Sequence, residues 1–463
     1  MKKHFYYLFS AALLLSTTVS TFTSCSDDEP NPQEQPGDNN NDGNDDGNKD
    51  DEKVIYDGVY SDNASAAGSL KMTYNGGELT GKKVTFIANE EATSATIELT
   101  GDVLDLTNMI GGLLPWSIET YSPVPGVKTI ALSDVKLTTD ENGIVSFSGT
   151  KTDPTFTLDY EGTIVKDKSG KKTMTFNLKN KLVSDQLCGT WNLAEKGDLT
   201  PLWLDVDSEV DMKIYVDLFG TGTKSEMTGP IMSIFGLALT SMGDAFIDIN
   251  GVKGIQGVVK ALFQGVINDM NGEMKVSYAW NDDWANPEYS TDLPANSIRY
   301  YYKDDKIYVE INPNFIFNLI SGFMTSASRV AGPENAIEIG EKLIEVLNPI
   351  LAEGLPIQYE LDGDKLKVNI DEQVMLNLLH VLADLIQDEY VSGIIFELIP
   401  TLGLGEDITS VLTDLLKQLP YVVKYHDGKA YDEVANPGSG NLSGECGYFR
   451  VGFKMVKVAD AAN

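Results

Sequence analysis

From Val54 to about Val183 the chain is a series of short runs in which apolar and polar residues alternate, each broken by Gly, Asn or Asp. Leu70 to Tyr74, Lys83 to Ile87, Ala95 to Leu99 and Thr173 to Leu178 are clear cases. Successive side chains of an extended backbone point to opposite faces, so this pattern buries one face and wets the other. A helix cannot satisfy it. Asn75-Gly76, Asn142-Gly143 and Ser169-Gly170 stand where positive φ is tolerated and hairpins close. Roughly eight strands at this spacing predict an all-β antiparallel sandwich or barrel over residues 54–187.

From Leu187 onward the period changes. Strand patterns persist but are separated by segments whose apolar residues recur at three and four, which predicts helices over Thr228 to Met242, Val252 to Met270, Glu334 to Leu351 and Asp371 to Asp388. The last places Val374, Leu378, Leu382 and Leu385 on one stripe. A repeat is also visible. Asp304-Asp305-Lys306-Ile307-Tyr308-Val309-Glu310-Ile311 matches Gly363-Asp364-Lys365-Leu366-Lys367-Val368-Asn369-Ile370, and Met212 to Leu218 is an earlier copy. Hairpins of this kind cannot bury their apolar faces alone, so neighbouring copies are expected to join one sheet with helices packed on it. The fold class expected for the whole chain is α+β: an all-β unit over 54–187, then a larger antiparallel sheet over 188–463 elaborated with helical insertions.

The N-terminus has a different texture. Lys2 and Lys3 precede an apolar run from Phe5 to Val19, and small and polar residues then lead to Cys25, the order of a secretory signal over residues 1–24. Residues 26–53 hold 11 acids against two lysines, with no aromatic residue. Such a stretch cannot bury enough surface to offset its ordering entropy, so 25–53 reads as a solvated tether.

Charge excludes one large class of partner. With 69 acidic and 35 basic side chains the net charge is −34, which repels phosphate backbones, so no nucleic acid is expected. Histidine is nearly absent: beyond His4 only His380 and His426 occur. No HExxH, CxxC or His-x-Glu spacing exists, so no metal and no cofactor are expected. Gly76 to Lys82 nearly spells a phosphate-binding loop, but Lys83 stands where Ser or Thr must hold magnesium, and a strand pattern follows in place of a helix. Asp205, Asp207 and Glu209 have calcium-loop spacing, yet Val210 replaces the required Gly. Paired carboxylates suffice for a glycosidase, but no local motif singles out a pair, so the chain is not read as an enzyme.

The candidate binding residues are Trp280, Asp282, Asp283, Trp284 and Tyr289, in the stretch Trp280-Asn281-Asp282-Asp283-Trp284-Ala285-Asn286-Pro287-Glu288-Tyr289. Flat rings beside acids and amides suit carbohydrate, whose C–H faces stack on aromatics while hydroxyls find carboxylates. The plain alternative is that both tryptophans cover the rim of the sheet. Tyr300, Tyr302 and Tyr308 on the next hairpin fit either role. The apolar pair Ile231 to Leu239 and Val258 to Ile267 offers a rival, a cavity for a small hydrophobic ligand.

Two resemblances add to this reading. The Cys25 leader is similar to a bacterial lipobox, with Phe22, Thr23 and Ser24 ahead of the Cys, a variation seen in lipoproteins of the Bacteroides group. The resemblance implies that Cys25 is lipidated and holds the chain in a membrane by acyl chains, palmitate among them. The acidic run behind it is similar to the surface-export signal of that group, which implies the outer membrane and its cell-surface leaflet, the periplasmic face being the alternative. Gly189-Thr190-Trp191 resembles the Gly-x-Trp opening of lipocalin-type barrels. With the leader and the Tyr74 to Lys82 hairpin, the chain resembles two-domain Bacteroides-group lipoproteins, calycin-like in part, a family with no assigned activity. Lipidation of Cys25 leaves Cys188 and Cys446 as an even pair, able to bridge if the first and last strands of the second unit are neighbours. The function expected is a non-catalytic surface module for glycan. Alternatives are a lipocalin-like carrier of a small hydrophobic ligand and a hydrolase with acidic catalytic residues.

Overall fold

The computed structural model describes residues 56–63, 66–105, 107, 117–194, 201–206, 213–216, 225–228, 248–249, 251–281, 283–312, 348–371 and 449–459, with isolated helical positions between 374 and 417. Cys25, Asp282 and Cys446 lie outside the described residues, as do the leader, the tether and nearly all of Thr228 to Met242.

The first unit contains β1 (Gly58–Ser61), β2 (Gly68–Tyr74), β3 (Gly77–Glu78), β4 (Lys82–Ala88), β5 (Ser94–Gly101), β6 (Val103–Asp105), β7 (Ser117–Glu119), β8 (Thr129–Thr139), β9 (Val145–Thr152), β10 (Phe156–Lys166) and β11 (Lys172–Leu182). Eight of them pair in the order β1-β4-β5-β8-β9-β10-β11-β2, and β2 returns to β1 to close a barrel. The expectation of a purely antiparallel unit is corrected here, because β2 pairs in parallel with both β1 and β11. β1 and β11 run in the same direction, and β2, the strand that fills the gap between them, runs with both. Asn75 and Gly76, with φ of 51° and 86°, turn the chain from β2 into β3.

Alternation fills the barrel with side chains. Tyr60, Tyr74, Phe86, Phe147, Leu158 and Phe176 belong to one buried cluster, with Phe147 and Phe176 ring centres 5.2 Å apart. A small barrel packed in this way has a core rather than a cup. Each such side chain stabilises the fold by about 1.5–3 kcal/mol relative to exposure.

The second unit contains β12 (Gly189–Leu193), β13 (Leu202–Val206), β14 (Lys213–Val216), β15 (Ser225–Thr228), β16 (Asp248–Ile249), β17 (Val252–Lys253), α1 (Gly254–Leu262), β18 (Phe263–Asn268), β19 (Met274–Ala279), β20 (Tyr289–Ser290), β21 (Ile298–Lys303), β22 (Lys306–Ile311), β23 (Leu355–Asp362), β24 (Lys365–Ile370) and β25 (Phe449–Lys457). Its main sheet runs β20-β19-β18-β12-β25-β24-β23-β22-β21, antiparallel throughout, with β13 continuing the line of β12 along β25. The sheet curls into a half-barrel until its ends meet: Glu273 bridges to Arg299, and Tyr300 N donates to Gly272 O at 2.8 Å.

The two repeated hairpins, β21–β22 and β23–β24, lie side by side in this sheet. The third copy does not join them, since β14 pairs only with β15 among the described residues. The helix expected over Val252 to Met270 is also corrected. It ends at Leu262, and Phe263 to Asn268 is a strand between β12 and β19. A short apolar run reads equally well either way, and here two ladders of hydrogen bonds decide it. At Gly265 the backbone of β12 comes so near that an added Cβ would lie 2.1 Å from Trp191 O. Along Asp371 to Asp388 the described positions from Val374 onward are helical, but Met375, Ala383 and Ile386 are buried while Val374 and Leu382 are half-buried, one residue round from the expected stripe. The architecture is therefore predominantly β, a closed barrel beside a curled sheet.

The units are joined by polar contacts. Asn75 and Asn180 both donate side-chain N–H to Asn271 O, at 3.1 and 3.3 Å, and Leu182 N donates to Met270 O at 2.7 Å. Asn296 Nδ2 donates to Tyr74 O at 3.0 Å. Buried Arg299 donates to Pro123 O and to Glu310 Oε1, both at 2.7 Å.

Candidate functional site

The loop between β19 and β20 begins where their ladder ends. Tyr278 faces Ser290 and Ala279 faces Tyr289 in register. Trp280 N donates to Glu288 O at 2.9 Å, so Trp280 and Glu288 form the next pair. Asn281 then clamps the base: its Nδ2 donates to Asn286 O, and Glu288 N donates to its Oδ1, each at 3.0 Å.

Asp283 shapes the tip. Its Oδ1 accepts N–H from Ala285 and Asn286, and its Oδ2 accepts from the Asn286 side chain at 3.1 Å. The Asn286 side-chain and backbone donors hold this carboxyl below its usual range. Asp283 is thereby committed to the loop's own backbone.

The three aromatics of the loop have separate fates. Trp284 is half-buried and packs against the core of the second unit. Tyr289 donates its hydroxyl to Lys260 O on α1, and burial raises its phenol. Trp280 is 48% exposed and is the exposed aromatic side chain among the described residues. The site thus presents one mounted indole, with the other two rings serving as its anchors. Asp282, the remaining candidate, lies outside the described residues.

Tyr300, Tyr302 and Tyr308 do not extend a surface shelf. Tyr300 is fully buried with its hydroxyl 3.0 Å from Asp269 O. Its ring stands edge-on to Tyr302 at 5.9 Å, and Tyr308 stacks on Tyr301 at 5.0 Å. Glu288 is a residue that pattern reading left out of the candidate set. It is exposed, directly across from Trp280, and among the described residues its carboxylate has no hydrogen-bond or ion-pair partner. The signal available was its place one residue before Tyr289, in an alternation too short to interpret without the ladder.

Elsewhere the near-phosphate loop resolves into β3 and β4, with Lys82 buried and its Nζ donating to Tyr121 O at 2.8 Å. Trp191 of the Gly-x-Trp opening is fully buried, its Nε1 donating to Leu187 O at 2.8 Å, with Lys457 Nζ 5.5 Å from the ring centre. Cys188 is a free thiol whose Sγ lies 3.5 Å from Tyr300 Oη. Among the described residues no three His, Cys, Asp or Glu side chains converge as a metal site. Among the same residues no helix is long and apolar enough to cross a membrane.

No protein-family model, curated protein or solved structure matches the chain.

Proposed function

We propose that the protein is a membrane-anchored extracytoplasmic lipoprotein whose folded part is a non-catalytic module that binds glycan through Trp280. One observation carries the reading: an indole 48% exposed on a loop in which Trp284 is braced by the core, Tyr289 by Lys260 and Asp283 by the loop backbone. A ring held this way offers a sugar's C–H face a stacking surface with little loop entropy left to lose on binding. The packed first barrel favours surface recognition over a carrier's cup.

Lipidation of Cys25 would attach the chain to the outer membrane, facing the cell surface, with residues 26–53 as the spacer. Metabolic labelling with a palmitate analogue tests this, and label retained by Cys25→Ala ends it. A glycan array probed with the full chain tests the binding reading. Signal is expected for the native protein and lost with Trp280→Ala; signal indifferent to Trp280 rejects the site.

A further inference from the structure

The chemical class of the glycan follows from what surrounds the indole. Between Trp280 and Asp292 the sequence carries Asp282, Asp283, Glu288 and Asp292 and no Lys or Arg. Facing pairs in an antiparallel ladder hold their Cβ atoms about 4.5–5.5 Å apart on one face, so Glu288 stands beside the exposed ring. Asp283 is occupied, as its oxygens accept from Ala285 and Asn286. Asp292 lies beyond β20, outside the loop, and Asp282 lies outside the described residues, so Glu288 is the described carboxylate of the loop without a partner, next to its one exposed aromatic.

We propose that this site binds an uncharged sugar, one pyranose ring stacked on Trp280 while Glu288 accepts hydrogen bonds from its hydroxyls. The inference rests on the glycan reading above and deepens it. Hydroxyls donate to a carboxylate in bonds stronger than neutral pairs. A uronate, sulfate or sialate would instead bring like charge into a loop with no cation to receive it, on a chain of net charge −34. One ring rather than three implies recognition of a single sugar unit, weak per site. Many anchored copies engaging one polymer would multiply that weak contact through effective concentration.

The test is calorimetric titration of the full chain with three probes: cellohexaose and maltohexaose, both neutral, and hexagalacturonate, which is anionic. Trp280→Ala, Glu288→Ala and Glu288→Gln are run in parallel. Neutral probes are expected to bind the native chain and to lose about tenfold or more in affinity with Trp280→Ala and with Glu288→Ala. Glu288→Gln, which keeps an acceptor, recovers part of the loss, and hexagalacturonate does not bind at low salt. Trp280-dependent binding of hexagalacturonate as tight as that of the neutral probes overturns the inference while leaving glycan binding intact. Neutral binding unchanged in Glu288→Ala removes that residue's role. Absence of Trp280-dependent binding for all three probes overturns both the inference and the reading beneath it.

Discussion

The guanidinium carbon of Arg299 sits 5.0 Å from the centre of the Tyr74 ring, so a cation from the second unit covers the aromatic that closes strand β2 of the first. The same side chain donates to Pro123 O and pairs with Glu310 Oε1, each at 2.7 Å. One residue therefore joins both units through a ring and a carbonyl, its remaining charge met by a carboxylate of its own unit.

Truncating Arg299 should be severe. Both it and Glu310 are largely withdrawn from water, at 5% and 14% side-chain exposure, and removing one partner of a buried pair strands the other charge, at about 3–5 kcal/mol. Arg299→Ala is expected to lose that much stability in urea denaturation, and Arg299→Lys to recover little, because an ammonium cannot serve the carbonyl and the carboxylate with a planar fork. The double variant Arg299→Met with Glu310→Gln should be more stable than Arg299→Ala alone. If all three variants unfold like the native chain, the contact does not join the units.

Lys82 gives a pH signature. Burial, with Arg299 nearby as the next cause, lowers its amine from 10.5 to about 8. Since the folded-state value lies below the unfolded one, the unfolded chain holds the extra proton between about pH 8 and 10.5. Stability associated with this group is complete above about 10.5 and is lost as pH falls through about 8, a difference of about 3 kcal/mol. Lys82→Met, compared with the native chain across pH 7 to 10.5, should abolish that slope; an identical slope in both would refute the buried-amine account.

Gly77 marks how closely the units approach. A Cβ there would stand 2.5 Å from Ala295 Cβ and 2.7 Å from Asn296 Nδ2. The second of those atoms donates to Tyr74 O. Gly77→Ala is expected to destabilise by about 1–3 kcal/mol through overpacking, and shortening the neighbour with Asn296→Gly should recover part of it. Equal Tm values for native and Gly77→Ala chains would mean that the interface gives way freely.

How much of this was legible in the sequence depended on range. The alternation in β2, β4, β5 and β11 was plain, and so was the Asn75-Gly76 turn, because both are local consequences of side-chain geometry. Strand direction was not: the period of two in Leu70 to Tyr74 is the same whether its partners run with it or against it, so the parallel closure was invisible. Phe263 to Asn268 was read as helix because six apolar-rich residues suit both periods. Nothing local marks Arg299 or Lys82 as buried, since their partners at Pro123 and Tyr121 are far away in the chain. In the loop, Trp280 was recognised, but only the ladder distinguishes a braced Asp283 from an unpartnered Glu288.

The cysteines offer a prediction on a bridge that the sequence leaves open. The first and last strands of the second unit are indeed neighbours, but they run antiparallel, with Trp191 facing Lys457. Cys188 thus sits near the C-terminal end of β25, while Phe449 at the other end faces Val206. At about 3.3 Å per residue those ends are roughly 26 Å apart, and three residues from Phe449 back to Cys446 reach about 11 Å. A disulfide needs Cα atoms within about 7 Å. Alkylation followed by peptide mass spectrometry under non-reducing conditions should find no Cys188–Cys446 linkage; a linked peptide from monomeric protein would show this register to be wrong.

The indole and its anchors should separate in stability, which makes any loss of binding interpretable. Trp280 is 48% exposed, so Trp280→Ala gives up about half of the ring's surface and should lose less stability than truncation of the more buried Trp284. Trp284 packs on the core, and Trp284→Ala should lose about 1–3 kcal/mol, less than a fully buried ring because it is only half-buried. Tyr289→Phe removes the hydrogen bond to Lys260 O and should lose about 1 kcal/mol. Thermal unfolding of the three variants checks the order. If Trp280→Ala were the most damaging, its ring would be a structural prop, and reduced glycan binding in that variant would report unfolding rather than recognition.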